Sequence, residues 1–477
     1  MSTHLRAITP IILCVLLCAL TAAGQDIDAT LAVSSSSPAT LQVKGRFVSL
    51  PARNLSLIRD YAGVSGLADR ILGLRLENSR GESVAFKQLI PGEIVAEAEF
   101  TSWSFNIDLT PKTSQRALGH TSWIGTETGL IFFRDVLPMV RDGSKGNISF
   151  ELPSGWTTSN GTKTFSVTDV DRSAVAIGKD LRRVEVSVSD VRLCIVTTEQ
   201  WRFEDKRIAD FSVEILRAYD RRIGNLSNKS FQILYIPFPK PLSAGTWEAD
   251  TRGDTVVIVS SDMPFETQSV QRLHEQLRHE LFHLWFPNGV SLTGNYDWFY
   301  EGFALYESLK LGVELNRLRF DDYLDTLGRA MTIDSMRSQN RSLIDASRSR
   351  TLEDTSVYAR GMLAAFITDI ELLQSSRGKE DVTRLLRNIY KKYPLSQPSI
   401  DGNTAILDEI RSPSVVRFVK GDEQPNWADI VRPIGIEVTT QPGVTDLKVS
   451  DRLTSSQKKL LDKLGYNNWR RSTVVPR

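Results

Sequence analysis

The sequence predicts an α+β protein of several domains, in which a β-sandwich-like domain precedes a mixed region and a mainly helical part. Three observations predict this class. The chain of 477 residues is long enough for two or three hydrophobic cores. Short β-rich runs fill residues 38–200 without a long helical period. After Thr198, apolar residues recur at the three- and four-residue spacing of helices.

The amino-acid composition argues against some classes of binding partner and does not indicate a particular one. Hydrophobic residues make up 41% of the chain and charged residues 24%, as in ordinary globular proteins. The net charge is +1, so the sequence does not indicate nucleic acid or an anionic membrane surface as a partner.

The first 24 residues have the layout of a secretory signal peptide. A single basic residue, Arg6, precedes an apolar run that ends in small residues, with cleavage expected after Ala23 or Gly24. We therefore expect a secreted or periplasmic protein without a membrane span after cleavage; an uncleaved N-terminal anchor is the alternative. The mature chain would keep only Cys194, which is expected to be buried and inert, so no internal disulfide is predicted.

Residues 25–198 form the predicted β-sandwich-like domain. Its runs alternate apolar and polar residues and are separated by clusters of Gly, Pro, Asn and Ser. The runs are LQVKGRFVSL, EIVAEAEF, WSFNIDL, GLIFFRDV, NISFEL, TKTFSVTDV and RRVEVSVSDVRLCIV.

Residues 199–310 read as an α/β region, residues 311–400 as a helical one, and residues 401–477 mix strand and helix without a clear repeat. A helix is predicted at 205–225, two apolar strands follow in SFQILYIPF and DTVVIVSS, and a second helix runs from about Gln268 to Phe286. The strand DTVVIVSS is a candidate to pair with an extended substrate backbone along its edge.

The segment RHELFHLWFP carries two of the five histidines, four residues apart. On a helix, His279 and His283 lie on one face and can direct their imidazoles at a single metal ion. Glu280 projects about 100° away, which favours a hydrogen bond to a water molecule at the metal and the role of a general base. An amphipathic helix with two ordinary histidines is the alternative.

A catalytic zinc site needs a third protein ligand and an open position for water. The downstream segment YDWFYEGFALYESL offers Asp297, Glu301 and Glu307. We choose Glu301, because it begins a helix after an aromatic loop and precedes Gly302, which permits a close backbone approach. Asp297 is a candidate to orient a ligand histidine.

The stretch HELFHLWFPNGVSLTGNYDWFYEGFALY resembles the gluzincin, or thermolysin-like, zinc metallopeptidases, and most of all the aminopeptidase N type. Seventeen residues separate His283 from Glu301, where that family has eighteen. Pro287 stands in place of a usual glycine, and Tyr300 in place of an asparagine. LPSGW and WSFNIDL are similar to segments of the glycyl aminopeptidase type, but no PDZ domain is recognised.

The resemblance implies two further sites. SVYARGMLAAFITDIELL is similar to a Tyr-x-Lys-Gly helix start, with Arg360 in place of Lys, so Tyr358 is expected to stabilise the oxyanion. SAGTWEAD stands where the family has Gly-x-Met-Glu-Asn, so Gly245 and Glu248 are candidate substrate-binding residues. Glu248 would bind the free α-amine of the substrate. His274 and His120 are expected to be structural or exposed.

The resemblance implies a thermolysin-like zinc peptidase domain that binds one Zn²⁺ ion and cleaves a peptide or protein substrate, with an aminopeptidase expected. The alternatives are an endopeptidase, another hydrolase of the same fold such as an epoxide-opening enzyme, and a non-catalytic zinc-bearing protein. The oligomeric state and the preferred residue at the cleaved bond stay open.

Overall fold

The computed structural model describes residues 26–36, 38–49, 51–111, 117–141, 143–337, 341–348, 356–422 and 424–467. The predicted signal peptide, its cleavage site and the alternative N-terminal anchor lie outside the described residues. In the part of the chain that is described, no helix has the length and apolar character required to span a bilayer.

Three sheets build the N-terminal unit, as expected from its short alternating runs. The six-stranded sheet has the order β12-β10-β1-β2-β7-β4, the four-stranded sheet β11-β13-β9-β8, and the three-stranded sheet β3-β6-β5. Alternate residues of β2 are buried, including Leu41 and Val43, so one face of its sheet packs on the core. The strands are β1 (Ile27–Ser36), β2 (Ala39–Phe47), β3 (Ala52–Ser56), β4 (Ile71–Glu77), β5 (Phe86–Ile90), β6 (Glu93–Phe100), β7 (Ser102–Asp108), β8 (Trp123–Ile124), β9 (Thr128–Phe132), β10 (Gly146–Glu151), β11 (Thr157–Thr158), β12 (Thr164–Val167) and β13 (Ala174–Gly178), with a short helix α1 (Phe133–Val136) and a 3-10 turn (Leu67–Arg70).

The second unit begins with a five-stranded sheet in the order β14-β15-β16-β18-β17. Its strands are β14 (Arg182–Val188), β15 (Val191–Thr197), β16 (Ser230–Pro237), β17 (Trp247–Arg252) and β18 (Thr255–Ser260). The inner strands β15, β16 and β18 run parallel, and the edge strands β14 and β17 are antiparallel to their neighbours.

This sheet corrects two sequence-based expectations. The strands β14 and β15 lie before the predicted boundary at residue 198, yet β15 pairs with β16. The hairpin of β14 and β15 has the same alternation of apolar and polar residues as the preceding strands. Only its pairing with β16, which is distant in sequence, shows to which sheet it belongs. The expectation that DTVVIVSS offers an edge to substrate is wrong, because β18 lies between β16 and β17. The edge strand on that side of the sheet is β17.

Helices surround one face of this sheet and fill the rest of the second unit. They are α2 (Asp205–Arg222), α3 (Glu266–Phe282), α4 (Asp297–Glu314), α5 (Phe320–Ser335), α6 (Leu343–Arg348), α7 (Ser356–Ser375), α8 (Val382–Lys392), α9 (Gly402–Ile410), α10 (Pro413–Lys420), α11 (Trp427–Val431) and α12 (Ser455–Leu464), with a 3-10 turn (Arg432–Ile434), the short strands β19 (Leu292–Thr293) and β20 (Ile400–Asp401), and the hairpin β21 (Ile436–Gln441) with β22 (Val444–Val449). One hydrophobic core includes Leu193 of the sheet, Phe303 of α4 and Leu461 of α12. The expected divisions at residues 310 and 400 therefore do not separate independent cores.

A second apolar layer joins the two units. Leu234 of β16 and Val257 of β18 lie on the face of the five-stranded sheet opposite the helices, in one buried cluster with Trp123 and Phe132 of the N-terminal unit. Alternation along the strands thus sends one set of side chains to the helices and the other to the N-terminal sheets.

Two glycines let α4 and α7 cross at backbone contact. A Cβ atom at Gly302 would overlap the backbone of Gly361, and one at Gly361 would overlap the carbonyl of Trp298. Because Gly302 follows Glu301, and Gly361 lies one turn after Tyr358, this crossing brings the two candidate site residues towards the same cavity.

Candidate active site

The two histidines lie where α3 ends. The helix closes at Phe282, four residues before the predicted end, and a tighter turn follows in which the His283 amide donates to the Glu280 carbonyl. His279 and His283 are buried, with side chains 9% and 7% exposed. Leu277 and Leu281 face the hydrophobic core, so the packing of α3 holds the histidine face towards the cavity.

Three ligand atoms converge as predicted from the His-Glu-x-x-His pattern. The Nε2 atoms of His279 and His283 are 3.3 Å apart, and the Oε2 atom of Glu301 lies 3.4 Å and 3.6 Å from them. Zinc bonds of about 2.0–2.1 Å at tetrahedral angles separate ligand atoms by about 3.3–3.4 Å. The spacing of His279, His283 and Glu301 therefore fits one tetrahedrally bound ion.

The electrostatics of this cluster favour a cation. The Nδ1 atom of His283 lies 2.9 Å from the carbonyl oxygen of Phe286, which assigns the proton to Nδ1 and leaves Nε2 as the ligand atom. Burial lowers the pKa of His283, but the hydrogen bond and charge of Glu301 outweigh it and raise that pKa to about 9. The site thus attracts positive charge, whether a proton or a metal ion supplies it.

Glu280 lies beside the cluster but is not one of the three converging ligands. Its Oε1 atom is 3.8 Å from the Nε2 atom of His279, and its Oε2 atom accepts a hydrogen bond of 2.8 Å from the hydroxyl of Thr251. Burial raises the pKa of Glu280. The arrangement provides a carboxylate with one oxygen facing the cluster and the other held from behind.

These groups open into a cavity of about 740 Å³ between the two units. Its wall includes Tyr358 of α7, Trp247 and Glu248 of the edge strand β17, and Arg172 of the N-terminal unit. A cavity of this size accepts a few amino-acid residues of an extended peptide.

Glu248 is held in place by the N-terminal unit. Its two carboxylate oxygens accept hydrogen bonds from the backbone amides of Ala117 (3.2 Å) and Gly119 (3.0 Å). A Cβ atom at Gly119 would lie 2.8 Å from the backbone of Glu248, so glycine permits this approach. Gly245, the other expected substrate-binding residue, is not among the described residues that line the cavity. It lies in the turn before β17 with φ 72°, and its Cα faces the side chain of Met263.

The remaining sequence candidates are engaged elsewhere. Glu307, a rejected third ligand, pairs with Arg222 at 2.6 Å in the helical core. Asp297 lines the cavity and accepts the hydroxyl of Tyr300, whereas a backbone carbonyl orients His283. His274 is buried and contacts Glu214 at 3.2 Å, in agreement with a structural role.

Sequence reasoning missed a charged cluster on the cavity wall. Asp250 lies 2.6 Å from Arg252 and 3.3 Å from His120, and Arg252 stacks over the ring of Tyr61. His120, expected to be structural or exposed, pairs with Asp250 and also lines the cavity. His120 and Tyr61 are distant in sequence from Asp250 and Arg252, but the alternation of β17 places Asp250 beside Glu248 on one face and could have indicated Asp250. Cys194, expected to be buried, is half-buried, and burial raises the pKa of its thiol.

Comparison with solved structures identifies the fold. The chain is similar to an aminopeptidase N family protein from Idiomarina loihiensis, with a TM-score of 0.73 and 14% identity over 87% of this chain and 79% of that one. It is also similar to an M1 zinc metallopeptidase from Deinococcus radiodurans, with a TM-score of 0.54 and 15% identity over 84% of this chain and 94% of that one. A variant of the latter bound to a Tyr-Ser-Ala substrate gives a TM-score of 0.56. The sequence matches no family model and no curated protein.

Fold and site together define a mixed α+β protein with a His-His-Glu cluster that faces a cavity. The chain shares the fold of the solved aminopeptidase N family protein and of the M1 zinc metallopeptidase.

Proposed function

We propose that this protein is a zinc-dependent peptidase that cleaves peptide bonds with an activated water molecule, and that it acts as an aminopeptidase. The observation that carries the proposal is the convergence of His279, His283 and Glu301 on one point, with Glu280 beside it. All four lie in the wall of one cavity.

Residues of this chain would bind the metal ion, transfer the proton and stabilise the oxyanion. His279, His283 and Glu301 would hold the ion; when bound, zinc supplies Lewis acidity that polarises the scissile carbonyl and lowers the pKa of a water molecule. Glu280 accepts the proton of the attacking water through Oε1 and then donates it to the leaving amine nitrogen. The phenol of Tyr358 donates a hydrogen bond to the oxyanion that forms on the tetrahedral carbon.

The edge strand supports the exopeptidase part of the proposal. In the part of the chain that is described, no strand pairs with the outer side of β17, along which an extended peptide can add as a further strand. Glu248 on this strand would bind the α-amine of the substrate, and its contacts with two backbone amides keep the carboxylate in one orientation. We also propose that the substrate is a peptide or a protein. The N-terminal segment would act as a signal peptide that directs the protein out of the cytoplasm.

Substitution of the general base tests the chemistry. Glu280→Gln keeps the size of the side chain but cannot accept the proton, so we expect zinc content to stay near one equivalent while hydrolysis falls by several orders of magnitude. Metal analysis and a peptide-hydrolysis assay on the same preparation measure both. Near-normal turnover in this variant would refute the assignment of Glu280.

Paired substrates test the specificity. The wild-type enzyme should cleave a short peptide with a free N-terminus and leave its N-acetylated twin intact. Cleavage of both peptides would favour an endopeptidase. Hydrolysis of an epoxide substrate, tested in the same assay series, would favour the epoxide-opening alternative. Bound zinc without any hydrolysis would favour the non-catalytic alternative.

A further inference from the structure

Thr251 is the residue that faces the proposed general base from the edge strand. Its hydroxyl oxygen lies 2.8 Å from Oε2 of Glu280 and 3.2 Å from the backbone oxygen of the same residue. Because a hydroxyl has one hydrogen to donate, the shorter contact with the carboxylate is the favoured bond. Among the described residues, no other hydrogen bond to this carboxylate is found.

The bond makes the two oxygens of Glu280 different. Oε2 is held by Thr251, whereas Oε1 faces the Nε2 atom of His279 at 3.8 Å. The side chain of Glu280 is only 4% exposed, so water cannot replace a lost donor readily. Without the hydroxyl, the carboxylate would be free to rotate about its terminal torsion, which has broad minima.

Two contacts fix the backbone of Thr251 itself. Its backbone pairs with Val256 in the sheet, and its carbonyl accepts a hydrogen bond of 2.9 Å from the side-chain amide of Asn288. The same amide nitrogen donates to the carbonyl of His283 at 2.9 Å. Arg172 of the N-terminal unit donates to the amide oxygen of Asn288 at 2.6 Å.

We propose that Thr251 is a positioning residue that holds Glu280 in the orientation required for proton transfer, and that Asn288 and Arg172 extend this support to the N-terminal unit. The inference rests on the proposed peptide hydrolysis. The described side-chain contacts of Thr251 are with Glu280 and not with the three metal-ligating residues, so it acts on kcat through the geometry of Glu280.

Removal of the hydroxyl tests the proposal. Thr251→Val keeps the β-branched shape, and we expect kcat to fall by about 10- to 100-fold, the scale of a misplacement of about 1 Å. KM and zinc content should stay within a factor of about two, since neither depends on the orientation of Glu280. Thr251→Ser keeps the donor and should restore kcat to within about threefold of wild type. Thr251→Ala removes the same hydroxyl with a smaller side chain and serves if the valine variant does not fold.

Two further measurements separate positioning from general damage. Crystal structures of the Val and Ser variants should show the carboxylate of Glu280 displaced in the first and in place in the second. Thr439→Val makes the same chemical change at an exposed position of β21 and should leave kcat unchanged.

The outcomes distinguish this inference from the proposed function. A wild-type protein that cleaves no peptide, or a fully active Glu280→Gln variant, removes the proposed function itself. If those controls behave as expected, a valine variant with kcat within twofold of wild type overturns the role of Thr251. Equal losses in the Val and Ser variants, or loss of zinc from the valine variant, overturn it as well.

Discussion

Glu248 combines two interactions that depend on its negative charge. Its carboxylate accepts two backbone amides of the N-terminal unit and, in the proposed function, a substrate ammonium group. Hydrogen bonds to a charged group contribute about 1.5–3 kcal/mol, or about 10- to 100-fold in affinity. In the proposed function, this residue therefore decides whether the free N-terminus of a peptide is recognised.

Glu248→Gln should raise KM for a free-amine peptide by about 10- to 100-fold, because the amide keeps the shape but loses the charge. The N-acetylated twin should show no change, whatever its basal rate. Steady-state kinetics with both substrates measure the difference, and Glu185→Gln at an exposed position of β14 is the matched control. An equal effect on both twins would argue against amine recognition.

Asp250 predicts a pH dependence of stability. Burial raises its pKa, but the charges of Arg252 and His120 outweigh burial and hold the pKa of this carboxyl well below its usual range. A depressed folded pKa means that the stabilisation is present above the unfolded value of about 3.9 and is lost as the pH falls through the folded value.

Asp250→Asn should lower the free energy of unfolding at pH 7 by about 3–5 kcal/mol, because it leaves Arg252 buried without its carboxylate. The difference between variant and wild type should shrink as the pH falls below about 4. Urea unfolding between pH 3 and pH 7 measures it. A difference that is independent of pH would mean that the ion pair is not its source.

At the scale of elements, the crossing of α4 and α7 connects packing with the site. The backbones touch at Gly302 and Gly361, and the same two helices carry Glu301 and Tyr358. A larger residue at the contact must separate the helices, since the atoms in the way belong to the backbone.

Gly361→Ala should therefore destabilise the protein by about 1–3 kcal/mol and weaken zinc binding, because Glu301 moves with α4. Chemical denaturation and competitive zinc chelation measure the two effects. Gly312→Ala on α4 is the control, since its nearest neighbour is the side-chain end of Arg278 at 3.1 Å, which yields more easily than backbone. Unchanged zinc affinity in the Gly361 variant would separate the crossing from the metal site.

At the scale of the whole molecule, the sequence predicted what depends on local pattern. The α+β class and the convergence of His279, His283 and Glu301 followed from strand alternation, helical spacing and the carboxylates of the next predicted helix, although that helix begins at Asp297 and not at Glu301. The sequence did not predict that β14 and β15 belong to the five-stranded sheet or that β18 lies inside it. It also did not predict the hydrogen bond from Thr251 to Glu280. These depend on pairing and packing between distant segments, which leave no periodic signal in the chain.

The N-terminal unit completes the fold of the second unit as well as the cavity. Leu234, Ile236, Val257 and Val259 cover the face of the five-stranded sheet that the N-terminal sheets bury. A chain that begins at residue 181 would expose these side chains as one contiguous apolar patch, which favours association in water. We expect this fragment to self-associate and to bind a hydrophobic dye, which size-exclusion chromatography and fluorescence measure. It should also lack peptidase activity.

Co-expression of residues 26–180 as a separate chain should restore a discrete complex. A fragment that is monomeric and unfolds cooperatively by itself would show that the sheet needs no cover from the N-terminal unit.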